Sequence, residues 1–96
     1  MYTLTIYDDN RQEIACIKFT FIDSEPNLST HEERFIISGI IPSCYAAMKY
    51  IAAQQKGFKA DLATPETTWT LLNCNFENYR PTNPSSVILR IGTVDD

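Results

Sequence analysis

Two stretches near the N-terminus alternate with period two, and they flank a cluster of turn formers. Tyr2, Leu4 and Ile6 fall on one face of the first stretch, with Thr3, Thr5 and Tyr7 on the other. Ala15, Ile17, Phe19 and Phe21 alternate in the second stretch against Ile14, Cys16, Lys18 and Thr20. Side chains on a strand point to opposite faces in turn, so this pattern specifies two strands, Tyr2 to Tyr7 and Glu13 to Ile22. Asp8-Asp9-Asn10-Arg11 between them makes the pair a hairpin whose apolar faces coincide.

The rest of the chain extends the same pattern. Asp23 to Glu32 is polar and holds Pro26, which reads as a loop. Arg34 to Ile41 is dense in isoleucine and reads as a third strand, with Gly39 as a bulge or a close backbone approach. Pro42-Ser43 opens a helix, with Ser43 as the expected N-cap. Cys44, Ala47, Met48 and Ile51 recur at helical spacing as its inner stripe. Gly57 is the expected left-handed cap, with Phe58 folded back on the last turn. Alanines on more than one side lead us to expect sheet or loop cover on two sides of the helix. Lys59 to Glu66 reads as a connection. Thr67 to Phe76 reads as a fourth strand, with Leu72, Cys74 and Phe76 inward and Asn73 and Asn75 outward. Glu77 to Ser86 is a polar loop with Pro81 and Pro84, and Val87 to Val94 is the last strand. The expected fold is a single α+β domain spanning residues 1–96, of order β-β-β-α-β-β. Its sheet is antiparallel-dominated, with one helix packed on or between sheet layers.

Composition limits the function classes. A chain of 96 residues has room for one core. Twelve acids against eight bases give a net charge of −4. That sign repels phosphate backbones, so direct nucleic-acid binding is not expected, and it favours a partner with a basic surface. Met1 to Ile6 has no basic n-region and no apolar h-region, and the longest apolar stretches of the chain fall far short of the roughly 20 residues of a membrane span, so neither a signal peptide nor a span is expected. Three widely spaced cysteines fit free thiols in a reducing, cytoplasmic setting.

Searching for chemistry yields little. Cys44 at a helix start is the best nucleophile candidate, but the one histidine, His31, lies in a distant loop. Structural zinc sites draw on tight cysteine pairs, and Cys16, Cys44 and Cys74 form none. Neither phosphate-cradling glycine runs nor a nucleophile elbow occurs. No catalytic residue, metal or cofactor is therefore expected. Tyr45, Lys49 and Lys56, with Lys59 beside them, form an aromatic-plus-lysine patch of the kind that binds single strands, although a solvated helix face explains it as well.

The stretch Phe35-Ile36-Ile37-Ser38-Gly39-Ile40-Ile41-Pro42-Ser43-Cys44-Tyr45-Ala46-Ala47-Met48-Lys49-Tyr50 runs from strand to helix. With the chain's small size, acidity and lack of a catalytic signature, it resembles the phage-encoded anti-CRISPR proteins, particularly those against type I surveillance complexes. These share no common motif, so no functional residue carries across. The resemblance implies host defence evasion by steric or charge-mimicking blockade of DNA binding, in the bacterial cytoplasm.

The expected function is that of an acidic inhibitor which occludes a basic, nucleic-acid-binding protein surface. The expected contact residues are the loop acids Asp8, Asp9, Asp23, Glu25, Glu32, Glu33 and Glu77, with Tyr79 and Arg80 as anchors. The alternatives are an immunity protein or antitoxin that plugs a toxin, a thiol enzyme built on Cys44, and the single-strand binder.

Overall fold

A computed structural model describes residues 1–23, 33–54 and 56–95, with the backbone alone for Glu33 and Asp95. The chain is an α+β protein, and its described residues form one short helix and an antiparallel sheet of eight strands. The strands are β1 (Tyr2–Tyr7), β2 (Glu13–Phe19), β3 (Phe21–Ile22), β4 (Glu33–Ser38), β5 (Phe58–Ala63), β6 (Thr68–Glu77), β7 (Ser86–Ile91) and β8 (Thr93–Asp95). A 3₁₀ turn, Pro42–Cys44, leads into the helix α1 (Tyr45–Ala53).

The strand order is β2-β1-β5-β6-β7-β4-β3, with β8 also on β6. β7 and β8 lie end to end against β6, where Gly92 N–H donates to Asn73 O at 3.2 Å. β2 and β3 stand at opposite ends of this order, yet only Thr20 separates them in sequence. The sheet therefore curls until its two ends are consecutive pieces of one chain. Its concave side holds the core, where Leu4, Ile6, Ile17, Phe19, Ile37, Leu62, Leu71, Leu89 and Ile91 are buried. Met48 and Ile51 of α1, which packs on β2 and β6, join them.

The expected hairpin is present, with Leu4 opposite Ile17 and Ile6 opposite Ala15. Phe21, however, does not continue the inner row. The pleat slips at Thr20, so Ile22 is buried and Phe21 is 57% exposed. A one-residue slip moves every later side chain to the other face. The third strand ends at Ser38 rather than Ile41, and Gly39 forms its exit at φ +69° rather than a bulge. A side chain at Gly39 would collide with Thr20 Oγ1.

At the helix, the expected inner stripe holds, with Cys44, Met48 and Ile51 buried and Ala47 packed on the core. Ser43 is not the N-cap. It lies inside the 3₁₀ turn, and no side chain caps either helical segment. Pro42 favours that tight first turn because its missing N–H would be unpaired there anyway. The helix stops at Ala53 with an extended Gln54, and Gly57 is not left-handed. Phe58 lines one groove with Ile51 of the last helical turn, but as a strand residue and not as part of a left-handed cap. It opens β5 and lies against the Phe76 ring, with centroids 5.1 Å apart. Nor is the helix covered on two sides, since Ala46, Lys49, Tyr50 and Ala53 are exposed.

The segment read as the connection Lys59 to Glu66 contains most of β5, which lies between β1 and β6. Ala60 and Leu62 fill its inner face. In β6 Cys74 and Phe76 face inward as expected, but Leu71 takes the place of Leu72, because Asn73 adopts φ +55° and the β5 register shifts there. Such a bulge adds one residue and reverses the alternation. Asn73 crowds the two glycines beside it, Gly57 just before β5 and Gly92 between β7 and β8. A Cβ at Gly57 would meet Asn73 Oδ1, and one at Gly92 would come within 2.9 Å of Asn73 Cβ.

Candidate partner-binding face

The solvent side of β3, β4, β7 and the end of β6 forms one surface. Backbone pairing sets its rows. Asp23 N–H donates to Ile36 O at 2.8 Å, Ile36 faces Ile88, and Ile88 faces Glu77. One row therefore reads Asp23, Ile36, Ile88, Glu77. The next reads Phe21, Ser38, Ser86. On the other side Arg34 faces Arg90, which faces Asn75.

The apolar members of this face are open to solvent. Phe21 is 57% exposed, Ile36 is 46% exposed and Ile88 is half-buried. Scattered exposed apolar residues are normal, but a grouped set on one sheet face is the usual mark of an interface. A hollow of about 230 Å³ lies beside Ile36 and Ile88, rimmed by Asn78, Arg80 and Asn83.

Arg34 and Arg90 stand directly opposite each other, an arrangement that like charges make unfavourable. Glu77 offsets it by reaching both, with Oε2 at 3.3 Å from Arg34 Nε and Oε1 at 3.2 Å from Arg90 Nε. Its charge serves the sheet first, and less of it is left for a partner.

The expected contact residues separate into groups. Asp23, Glu77 and Arg80 lie on or beside this face. Tyr79 follows directly, but its ring packs against the core and is half-buried. Asp8 and Asp9 sit far along the sheet, on the β1–β2 turn. One oxygen of Asp8 accepts from Asn10 N–H at 2.8 Å and Gln12 N–H at 2.9 Å, so it shapes the turn. Asp9 bonds Lys56 Nζ at 2.7 Å, and that contact holds its carboxyl below the ordinary range and Lys56 above its own. Glu25, Glu32 and His31 lie outside the described residues, as does the side chain of Glu33.

Cys44 has a structural occupation. Its Sγ accepts from Lys18 N–H and donates to Cys16 O, both at 3.5 Å, while Ile41 N–H donates to Lys18 O at 3.0 Å. The 3₁₀ turn thus covers the open edge of β2, which would otherwise present unpaired backbone groups. Burial pushes the Cys74 thiol up to about 12. Among the described residues no three His, Cys, Asp or Glu side chains converge as metal ligands would. The expected lysine patch is dispersed, because Lys56 lies beyond the helix and is tied to Asp9, while Lys59 is on β5.

Phe21, Ile36 and Ile88 are the residues that sequence reading missed. The signal was present for one of them, since adjacent Ile36 and Ile37 on a strand cannot both face inward. No family model, no curated protein and no solved structure matches this chain. No helix in the described residues is long and apolar enough to cross a membrane.

Proposed function

We propose that this protein acts by occupancy, covering a basic, nucleic-acid-binding surface on a larger protein assembly. The observation that carries the reading is the grouped exposure of Ile36 and Ile88, which lie between Asp23 and Glu77, and of Phe21 in the adjacent row. Hot spots cluster in the desolvated centre of an interface and are enriched in aromatic residues and arginine, and Arg80 lies beside Ile36 and Ile88 on this face. The net charge of −4 supplies long-range attraction to a basic partner, which raises association rate more than it lengthens residence. An inhibitor of the kind phages direct against guide-directed surveillance complexes is the specific form of this reading, because such complexes hold DNA with lysine and arginine. The bonds that Cys44 makes favour occupancy over thiol chemistry, since its proton is donated to Cys16 O.

The test begins with tagged wild type and a Phe21→Ser/Ile36→Ser variant, both shown to be folded, in a bacterial lysate. The partner taken by wild type and refused by the variant is then purified. Its association rate with this protein should fall as salt rises, with dissociation changing less, and its nucleic acid should compete. Equal capture by the variant would remove this face from the reading. An association rate indifferent to salt, or simultaneous binding of nucleic acid, would remove charge occlusion.

A further inference from the structure

A second hollow, of about 180 Å³, opens on the other half of the sheet, and Tyr7, Arg11, Lys59, Asp61 and Thr70 line it with Leu72. It is smaller than the roughly 300 Å³ at which drug-sized ligand pockets begin, so it suits a small molecule rather than a nucleotide. Tyr7 Oη donates to Asp61 Oδ2 at 3.3 Å, and Thr70 Oγ1 donates to Asp61 Oδ1 at 3.2 Å. Both hydroxyl protons are thereby directed at one carboxylate. The hydroxyl oxygens keep lone pairs that can accept from a ligand. Burial and the Asp61 charge hold the Tyr7 phenol above its ordinary value, so it stays protonated.

Two cations flank this arrangement. Lys59 faces Tyr7 across the β1–β5 pair, and Arg11 lies close enough to influence the Tyr7 hydroxyl, opposed by the Glu13 carboxylate across the β1–β2 pair. Neither has an ion-pair partner among the described residues. Asp9 feels the Lys59 charge but is bonded to Lys56. Arg11 is also unusual in its backbone, with φ +61° at the end of the β1–β2 turn. Glycine fits that conformation because it has no Cβ to clash, and asparagine tolerates it through local side-chain hydrogen bonds, whereas arginine has neither advantage. An arginine there places a guanidinium at the hollow at the expense of local backbone comfort.

We propose that this hollow binds a small anion that also carries a hydroxyl donor. The carboxylate or phosphoryl group would sit between Arg11 and Lys59. The donor would turn to the Tyr7 and Asp61 oxygens. This site is separate from the partner-binding face and does not depend on it.

The experiment titrates the protein with glycolate and, separately, with inorganic phosphate at constant ionic strength, followed by amide and tyrosine-ring NMR. The expected result is a saturable shift at Tyr7, Arg11, Lys59 and Thr70, with Ile36 and Ile88 unmoved. Saturation by glycolate identifies the carboxylate arm, and saturation by phosphate the phosphoryl arm. Arg11→Gly separates binding from folding. It should keep or raise the melting temperature, because glycine relieves the backbone, while weakening the anion by at least about tenfold. Lys59→Gln provides the second variant and should weaken it similarly. A linear response to both anions, or equal saturation in Arg11→Gly, would overturn the proposal.

Discussion

On the solvent side of β1, β5 and β6 stand Thr3, Thr5, Lys59, Asp61 and Thr70, while on that of β3, β4 and β7 stand Phe21, Ile36 and Ile88. Both regions bury the same kinds of residue inward and share β6, so the requirements of the core do not distinguish them. The first satisfies its half-buried polar groups internally, through Tyr7, Asp61 and Thr70. The second leaves the apolar area of Phe21 and Ile36 in water, and no contact among the described residues recovers it. Polar outer residues are what a half-solvated antiparallel sheet ordinarily carries. The departure from that rule is therefore the informative region, and it is the face the proposed partner would cover.

The sharpest break of the comparison uses two neighbours on β4. Ile37 is fully buried, and Ile36 is 46% exposed. Ile37→Ala should cost about 2–5 kcal/mol, as lost burial and a residual cavity add. Ile36→Ala should stay within about 0.5 kcal/mol, as surface changes do, and yet weaken partner capture. Urea unfolding of both variants measures this. A large stability loss in Ile36→Ala would mean that the outer isoleucine belongs to the fold, and the contrast between the two faces would fail.

The next effect tests the bulge where the two regions join. Gly92→Val brings a side chain against the Cβ and backbone oxygen of Asn73, at 2.9 and 3.0 Å from the first new atom. Overpacking of this kind costs about 1–3 kcal/mol. Gly57→Val meets chiefly the Asn73 amide, whose flexible end can move, and should cost less. Asn73→Gly should rescue Gly57→Val nearly completely and Gly92→Val only in part, because the backbone oxygen remains. Absence of any rescue would show that Asn73 is not the obstacle. Gly57 is thus sensitive to substitution, but through strand packing and not through the helix cap its sequence position implies.

Alternation made the β1–β2 hairpin legible from sequence, and the 3.6 period did the same for the inner stripe of α1. The same rule failed wherever one residue broke its phase. Thr20 and Asn73 each shift the pleat, and neither is marked by the proline or glycine that would announce a break. β5 was missed because Ala60 is small and Asp61 polar, which weakens the contrast on which period two depends. The acids were visible, but their partners were not. The Glu77 bridge to Arg34 and Arg90, and the Asp9 pair with Lys56, are set by strand pairing and tertiary contact. Local sequence therefore overstated how many carboxylates remain for a partner.

A smaller effect is expected at Glu77. Glu77→Gln should reduce stability by about 0.2–1 kcal/mol, the range of exposed pairs, since solvent screens much of the attraction. The loss should grow as salt falls, when Arg34 and Arg90 repel each other across the pair most strongly. Thermal unfolding at two salt concentrations reads it. A gain in stability would mean that Glu77 does not offset the arginines, and its charge would return to the partner-binding account.

The smallest effect lies at the opposite end of the sheet, where Asp9 and Lys56 tie the β1–β2 turn to the segment after α1. The Asp9 carboxyl is held below its ordinary range, chiefly by the hydrogen bond from Lys56 and then by its charge. A depressed carboxyl contributes stability above its unfolded pKa and loses that contribution as pH falls through the lower folded value. Acid should therefore open this tie only below the ordinary carboxylate range. Lys56 is raised by the same contact, so its contribution is lost at the other extreme, as pH climbs through its folded value. Between these limits the tie holds, and the groove of about 190 Å³ that it spans, lined by Ile14, Ile51 and Phe58, keeps its shape. An NMR titration of Asp9 should show its midpoint move up toward the ordinary value in Lys56→Gln, with Ile36 and Ile88 unaffected. A midpoint unchanged by that substitution would show that the pair does not persist in solution, and the turn would then rest on Asp8 alone.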